Sequence, residues 1–297
     1  MGNQFTFTIV EENELSAESH LDDAMAEVNR IENLLSTYKP DSQTNLINEQ
    51  AGKAPVVVDQ EVYQLIERSI AISKITQGAF DITYGSLDKS LWNFNRNMTN
   101  LPDAATAKKM VHLINYQNVV LNPEEGTVFL KKKGMRIGFG GIGKGYAAEI
   151  TRRKLLANGV RAGIINASGD ISTWGLQPDG RPWTIGIAHP DHPAKSFSYM
   201  NISDMAVATS GNYEKFVIIN GQKYSHTINP KTGLPIQGIK SVTIITKNAE
   251  LADAMATPVS IMGIKAGLFL IDQLPDIEAI VVDDHNNIHT SKNIKLS

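Results

Sequence analysis

Three groups of side chains in this chain are spaced for chemistry. Asp253 and Thr257 stand four residues apart in AELADAMATPVSIM, which in a helix stacks a carboxylate and a hydroxyl on one face. Two hard oxygens so placed suit magnesium, which takes few protein ligands and completes its shell with phosphate and water. A solvated Asp and Thr on an outer face is the plainer alternative. His226 ends a strand-like run just before a turn built on Asn229-Pro230 and Thr232-Gly233. A neutral imidazole there could take a proton from an attacking hydroxyl, although a lone histidine is more often structural. The third group is GFGGIGKGYAAE, Gly138 to Glu149, whose glycines and Lys144 lie between an apolar run and an amphipathic one. A backbone without side chains, followed by a helix N-terminus, can approach a phosphate or pyrophosphate closely.

The glycine stretch nearly fits two known patterns. Gly138, Gly140 and Gly143 satisfy G-x-G-x-x-G, and Gly138, Gly143 and Lys144 satisfy a P-loop up to Gly145, which stands where a P-loop has its magnesium-holding Ser or Thr. A dinucleotide loop normally opens a βαβ unit with an acidic residue about 20 positions on, whereas this one follows a hairpin in mid-chain. A Gly-rich turn between strand and helix remains open. So do two acidic residues. Asp81, between Phe80 and Ile82, costs several kcal/mol to bury without hydrogen bonds and could be a structural cap. Asp170, after Gly169 in NASGDIS, is either part of a turn or a ligand contact.

The elements that must carry these groups follow from periodicity. An opening strand spans Phe5 to Ile9, and a helix capped near Ser16 or Ser19 buries Leu21, Met25, Val28, Ile31 and Leu35. Ser36 to Gly52 is rich in turn residues and reads as a surface loop that could carry function. Asp59 caps a second helix with Val62, Leu65, Ile66, Ser69 and Ile72 as its stripe, and a third runs from Asp103 to Tyr116. A hairpin around Pro123 to Gly126 leads to a strand, Met135 to Phe139, before the glycine loop. The second half is strand-rich up to Thr246, then helical at Ala249 to Met262 and Lys265 to Leu274, with a strand at Glu278 to Val282. Pro258 implies a kink or an early end to the first of those helices. Strands and helices segregate, so the fold class is α+β, and the 297 residues allow one elaborate domain or two lobes, with no obvious linker.

Composition removes several classes. Of 297 residues 42% are hydrophobic and 20% charged, with a formal charge of −3, as in ordinary globular proteins. No basic excess points to nucleic acid. No apolar run reaches the roughly 18 residues of a membrane span, and no signal peptide is visible. Zero cysteines exclude disulfides, thiolate metal sites and cysteine nucleophiles.

Taken in order, GAFDITYG, GGIGKGYAAE, NASGDI, ATSGNYEKF, SHTINPKTGLP and ADAMAT resemble the successive motifs of the ApbE family, the FAD:protein FMN transferases. MGNQFTFTIV and STYKPDS fall where that family has its opening strand and Ser-x-Tyr loop, so the likeness covers the whole chain. It implies a T-fold-like architecture of mixed and antiparallel sheets with flanking helices and a ligand cleft between lobes. It implies magnesium-dependent transfer of FMN from FAD to a Thr or Ser hydroxyl of a partner flavoprotein or flavoprotein subunit, with release of AMP.

By that resemblance Lys144 and the glycine-loop amides face the pyrophosphate, Asp253, Thr257 and the Gly141 carbonyl hold Mg2+, and His226 is the base. FAD contacts fall on Met1, Tyr38, Ala79, Phe80, Asp81, Gly140, Lys144, Asp170, Thr209 and Thr227. Three positions depart from the pattern: Gly138 stands where Asp is usual, shifting that contact toward Asp81; Asn229 replaces the Asp of the Asp-Pro-x-Thr-Gly turn; and Asn166-Ala167-Ser168-Gly169 replaces Asn-x-Gly-Gly. The likeness also implies a bacterial periplasmic or lipid-anchored protein facing away from the cytoplasm, with intracellular members known; Met1 matches a family motif and need not be the natural start. An FAD pyrophosphatase, a non-catalytic FAD-binding protein and a Rossmann oxidoreductase are the alternatives.

Overall fold

The structure, a computed structural model, describes residues 3–90, 100–189, 192–211, 216–219 and 221–294. Met1 and residues 212–215 of the ATSGNYEKF motif lie outside the described residues. The chain opens with β1 (Phe5–Ile9). Asn13 caps α1 (Glu14–Leu35) by accepting from the Ser16 N–H. The helix therefore starts ahead of the expected serine caps, asparagine being as good a cap as serine.

Next comes α2 (Gln43–Glu49), inside the stretch expected to be a loop. It escapes a periodicity reading because its buried residues include Thr44, Asn45 and Asn48, so no apolar stripe marks it. β2 (Val56–Val57) leads to α3 (Gln60–Ile75), whose expected stripe is wholly buried, and then to a 3-10 turn at Ile82–Ser86. α4 (Ala104–Met110) is shorter than the helix read to Tyr116, since residues 111–118 break into turns. β3 (Val119–Asn122) and β4 (Thr127–Leu130) form the expected hairpin.

The second half holds α5 (Gly143–Ala157), β5 (Gly163–Ala167), β6 (Asp170–Trp174), β7 (Trp183–His189), β8 (His192–Ile202), β9 (Ala206–Gly211), β10 (Phe216–Ile219), β11 (Gln222–Ser225) and β12 (Ile239–Thr246). It ends with α6 (Ala249–Met262), α7 (Ile264–Ile271), β13 (Ile277–Asp283) and β14 (Ile288–Thr290). α6 neither ends nor stops short at Pro258 but continues a full turn beyond it.

Seven strands build an antiparallel sheet in the order β1-β5-β6-β9-β12-β13-β14. Period-two alternation sends its residues to two different cores. Ile165, Ala206, Ala208, Val242, Ile244, Ala279 and Val281 join the core that includes residues of α5 and α6. Val207, Ile245 and Ile280 pack instead with Trp183, Ile185 and Ile187 of the β7–β8 hairpin. The sheet is thus a partition with helices on one face and a hairpin on the other, an α+β arrangement as the segregation of elements implied.

Residues 135–139, expected as a strand, pair with none. Their backbone groups are taken by side chains and a turn. Asn48 accepts from the Ile137 N–H at 2.7 Å and donates to the Ile137 carbonyl at 3.1 Å, Ser86 Oγ exchanges bonds with Arg136, and the Gly138 N–H donates to Ile82 O. These bonds stand in for a strand ladder along residues 136–138.

Candidate functional site

α5 and α6 meet at Gly145. A Cβ there would lie 2.1 Å from the Ala249 carbonyl oxygen and 2.6 Å from Asp253 Cβ, so only glycine allows this approach. Each helix then serves the other's start. The Asp253 carboxylate of α6 accepts from the Gly145 N–H at 2.9 Å, at the end where Ile142 offers α5 no side-chain cap. The buried Glu149 of α5 accepts from the Ala249 N–H of α6 at 3.3 Å, and also from Arg152 and Arg153. Carboxylates at helix N-termini are favoured both as acceptors and by the helix dipole. Asp253, read from sequence as a metal ligand, is therefore also a structural cap.

Asp253 also anchors a charge cluster. Lys144 Nζ lies 3.1 Å from Asp253 Oδ1 and 2.7 Å from Asp170 Oδ2. Asp170 reaches this point because Ser168 and Gly169, both at positive φ, close a two-residue turn between β5 and β6. Alternation then places Asp170 on the face that carries Trp174 into the helix-side core. Burial pushes the Asp170 carboxyl up to about 7; the nearby Asp253 charge adds to this and Lys144 opposes it. Burial would lower the Lys144 pKa, but Asp253 and Asp170 outweigh it and raise it instead, so the ammonium stays charged at neutral pH.

The cluster opens into a cleft of about 570 Å³ lined by Tyr38, Phe80, Gly140, Gly141, Lys144, His226 and Thr257, among others. Its size is that of a small-molecule site. Ala79, Asp81 and Thr227 also line it, so the cleft gathers most of the residues expected from sequence. Tyr38, 90% exposed, stands on the rim. A Cβ at Gly140 would meet nothing within 4 Å, which leaves a bare backbone wall beside Lys144. The first amides of α5 are partly spoken for: Gly143 N–H donates to Phe139 O and Gly145 N–H to Asp253. An anion would therefore meet the wall and Lys144 more than a free helix end.

His226 follows β11 and leads into the turn of residues 229–233, where the Asn229 carbonyl accepts from Gly233 N–H at 2.8 Å. Gly233 is at φ +75°, and a Cβ there would sit 1.9 Å from Ala107 O, so the turn seats closely on α4. Tyr84 Oη accepts from Ile228 N–H at 3.1 Å and fixes the segment from the other side. Burial, only partly offset by that bond, pushes the Tyr84 phenol up to about 12.

One expected contact, Asp81, lines the cleft and also caps a turn, while Thr209 lies on the other face of the sheet. Asp81 Oδ1 accepts from the Thr83 N–H and hydroxyl, and Oδ2 from Tyr116 N–H at 2.9 Å, so it caps the 3-10 turn while lining the cleft. Burial raises its pKa more than these bonds lower it. Thr209 bonds Thr243 at 2.9 Å on the sheet face shared with Val207 and Ile245, away from α6. Its neighbour Ser210 alternates to the α6 side and lies 3.4 Å from Thr257 Oγ1. Lys89, on the cleft wall, was also missed. Only strand phase could have pointed to Ser210, and no sequence signal marks Lys89.

The side chains that could hold a cation here offer only oxygens: the Asp253 and Asp170 carboxylates of the cluster and the Thr257 hydroxyl on the cleft wall. Asp170 Oδ2 is buried and, although close to Lys144, has no partner in hydrogen-bond geometry. Once Asp170 ionises, two carboxylates face one ammonium, which leaves room for a further positive charge. The set fits a small hard cation, and since no three His, Cys, Asp or Glu side chains gather among the described residues, such an ion would draw on hydroxyl, carbonyl, phosphate and water. A larger cavity of about 740 Å³ lies beside α3 and α5, but its three arginines are already paired, Arg68 with Glu250 and Arg30 with Glu61 on its own wall and Arg153 with Glu149.

Comparisons with known proteins bear on the family and the fold. A model of the ApbE family matches residues 1–281. An FAD:protein FMN transferase of Klebsiella pneumoniae (strain 342) is 33% identical over 263 residues, covering 88% of this chain and 81% of that protein. One of Treponema pallidum (strain Nichols) is 30% identical over 296 residues, covering 94% and 82%. The crystal structure of the ApbE protein from Thermotoga maritima superposes with a TM-score of 0.87 at 29% identity, over 98% of this chain and 94% of that one. The apo flavinyl transferase ApbE of Pseudomonas stutzeri gives 0.85 at 26% identity, over 98% and 92%.

Proposed function

The chain belongs to the ApbE family, and we propose that it is an FAD:protein FMN transferase that moves FMN from FAD to a Thr or Ser hydroxyl of a partner flavoprotein, releasing AMP. The observation that carries this reading is the gathering of Tyr38, the Gly140–Gly141 wall, Lys144, His226 and Thr257 around one cleft. Tyr38 offers an aromatic surface to the flavin ring. Lys144 and the wall receive the pyrophosphate, held there by charge and by the absence of side chains.

In the reaction the acceptor oxygen forms a bond to the FMN phosphorus, and the bond from that phosphorus to the bridging oxygen breaks, the oxygen leaving with AMP. His226 takes the hydroxyl proton. Lys144 stabilises charge that grows on the phosphoryl oxygens. Asp253, Thr257 and the Gly141 carbonyl would hold Mg2+, which when bound neutralises phosphoryl charge and the leaving group. The protein's main task is alignment and electrostatics.

The test is incubation of the protein with FAD, magnesium and an acceptor domain bearing a Thr or Ser site. Flavin fluorescence retained on denatured acceptor, with one AMP per flavin, is expected. Asp253→Asn, which keeps an oxygen for the Gly145 amide, should abolish both. Equal AMP and free FMN without acceptor would instead make water the acceptor and the protein a pyrophosphatase; NAD(P)H oxidation with intact FAD would favour an oxidoreductase. The family resemblance also supports a place outside the cytoplasm, which fractionation of the native cells would check; no helix among the described residues is long and apolar enough to cross a membrane.

A further inference from the structure

α2 is a seven-residue helix whose buried polar side chains serve the backbone of other segments. The Asn45 amide donates to the carbonyls on either side of Tyr38, Thr37 O at 3.0 Å and Lys39 O at 2.8 Å, while its Oδ1 accepts from Arg136 at 3.3 Å. Three residues on, and so on the same side of the helix, Asn48 makes its two-way exchange with Ile137, the residue before Gly138. Thr44, in the same helix, donates to Leu35 O at 3.0 Å at the end of α1, and Leu35 also lines the cleft.

The Tyr38 rim and the approach to the glycine wall are therefore fixed to one rigid piece by side chains that are themselves buried. Water cannot easily replace the buried Asn48 bonds, whose loss leaves the Ile137 backbone unsatisfied, while the part-buried Asn45 bonds hold the exposed Tyr38 segment in place.

We propose that α2 is a spacer, with Asn45 and Asn48 as positioning residues that set the distance between the Tyr38 rim and the glycine wall. The proposal rests on the FAD reading, because it requires a ligand that spans both. Neither asparagine touches the ligand. They act through Tyr38 and through the backbone that leads to Gly140. Joining two contacts in one ligand strengthens binding only when their separation matches the site, so a lost spacer should weaken the whole of FAD and spare a fragment that uses the wall alone.

The experiment uses the full chain and measures FAD and AMP affinity by calorimetry at a temperature where every variant is folded. Asn45→Ala and Asn48→Ala should each weaken FAD about tenfold and AMP less than about threefold. The double variant should fall short of the product of the two, since both act on one distance. Ser291→Ala, which leaves the Ala279 N–H without its buried acceptor at a place that does not line the cleft, should lower Tm without changing either affinity.

If an alanine variant does not fold, Asn45→Ser and Asn48→Ser read the same FAD-to-AMP ratio. FAD and AMP weakening in parallel, an unchanged ratio, or the same ratio change in Ser291→Ala would each overturn the proposal while leaving the functional reading intact. A parent protein that binds no FAD would overturn both.

Discussion

Gly145→Ala tests the contact on which the site is built. The added Cβ would sit 2.1 Å from Ala249 O, where ordinary contact begins at 3.4 Å, and the obstruction is backbone in the middle of two packed helices. Neither helix can yield locally, so α5 and α6 must part by something over about 1 Å. That stretches the 2.9 Å bond from Gly145 N–H to Asp253 past hydrogen-bonding range. Overpacking and loss of a charged hydrogen bond together cost about 2–5 kcal/mol, a fall on the order of 10 °C in Tm. Activity should fall further than stability. A shift of about 1 Å in a group that aligns the reaction costs on the order of a hundredfold, and Asp253 would move relative to Lys144 and Thr257. The assay is AMP release from FAD with acceptor present, measured well below the variant's Tm, alongside thermal unfolding. Gly140→Ala is the control for melting, since its Cβ meets nothing within 4 Å, and it should unfold with the parent. A Gly145→Ala protein with parental Tm and parental rate would refute the packing argument and the capping role of Asp253 with it.

The remaining expectations concern charge. His226→Gln should lower transfer by roughly a hundredfold or more and remove the acid limb of the pH–rate profile; an unchanged profile would mean that His226 is not the base. Asp170 is raised from 3.8 to about 7. Below about 3.8 both folded and unfolded forms hold its proton; above that the unfolded chain releases it while the fold keeps it, so stability is lost as pH rises toward about 7. Asp170→Asn should flatten that window in metal-free buffer, and parallel curves for parent and variant would count against the burial of this carboxyl. Glu149→Ala leaves Arg152, Arg153 and the Ala249 N–H without their shared acceptor and should destabilise by about 3 kcal/mol or more. Equal melting of parent and variant would show that the paired capping of α5 and α6 contributes nothing.

By itself the sequence determined the α+β class, the α3 and α6 helices and the stock of chemical groups. Val62, Leu65, Ile66, Ser69 and Ile72 recur at helical spacing, and Asp253 and Thr257 share a helix face, because those facts depend only on local geometry. Motif order also made the family legible. Local rules failed where a segment is satisfied from far away. α2 has no apolar stripe because its buried residues serve other segments, and residues 135–139 are extended yet unpaired because Asn48 and Ser86 supply what a neighbouring strand would. Tertiary structure alone decided that Gly145 is a contact point between helices, which is why the P-loop hydroxyl is missing there, and that Asp253 caps the helix whose lysine it binds. It also decided that Asp170 joins that pair and that Ser210 faces Thr257 while Thr209 bonds Thr243 on the other face, since strand phase against a distant helix is invisible until the sheet is assembled.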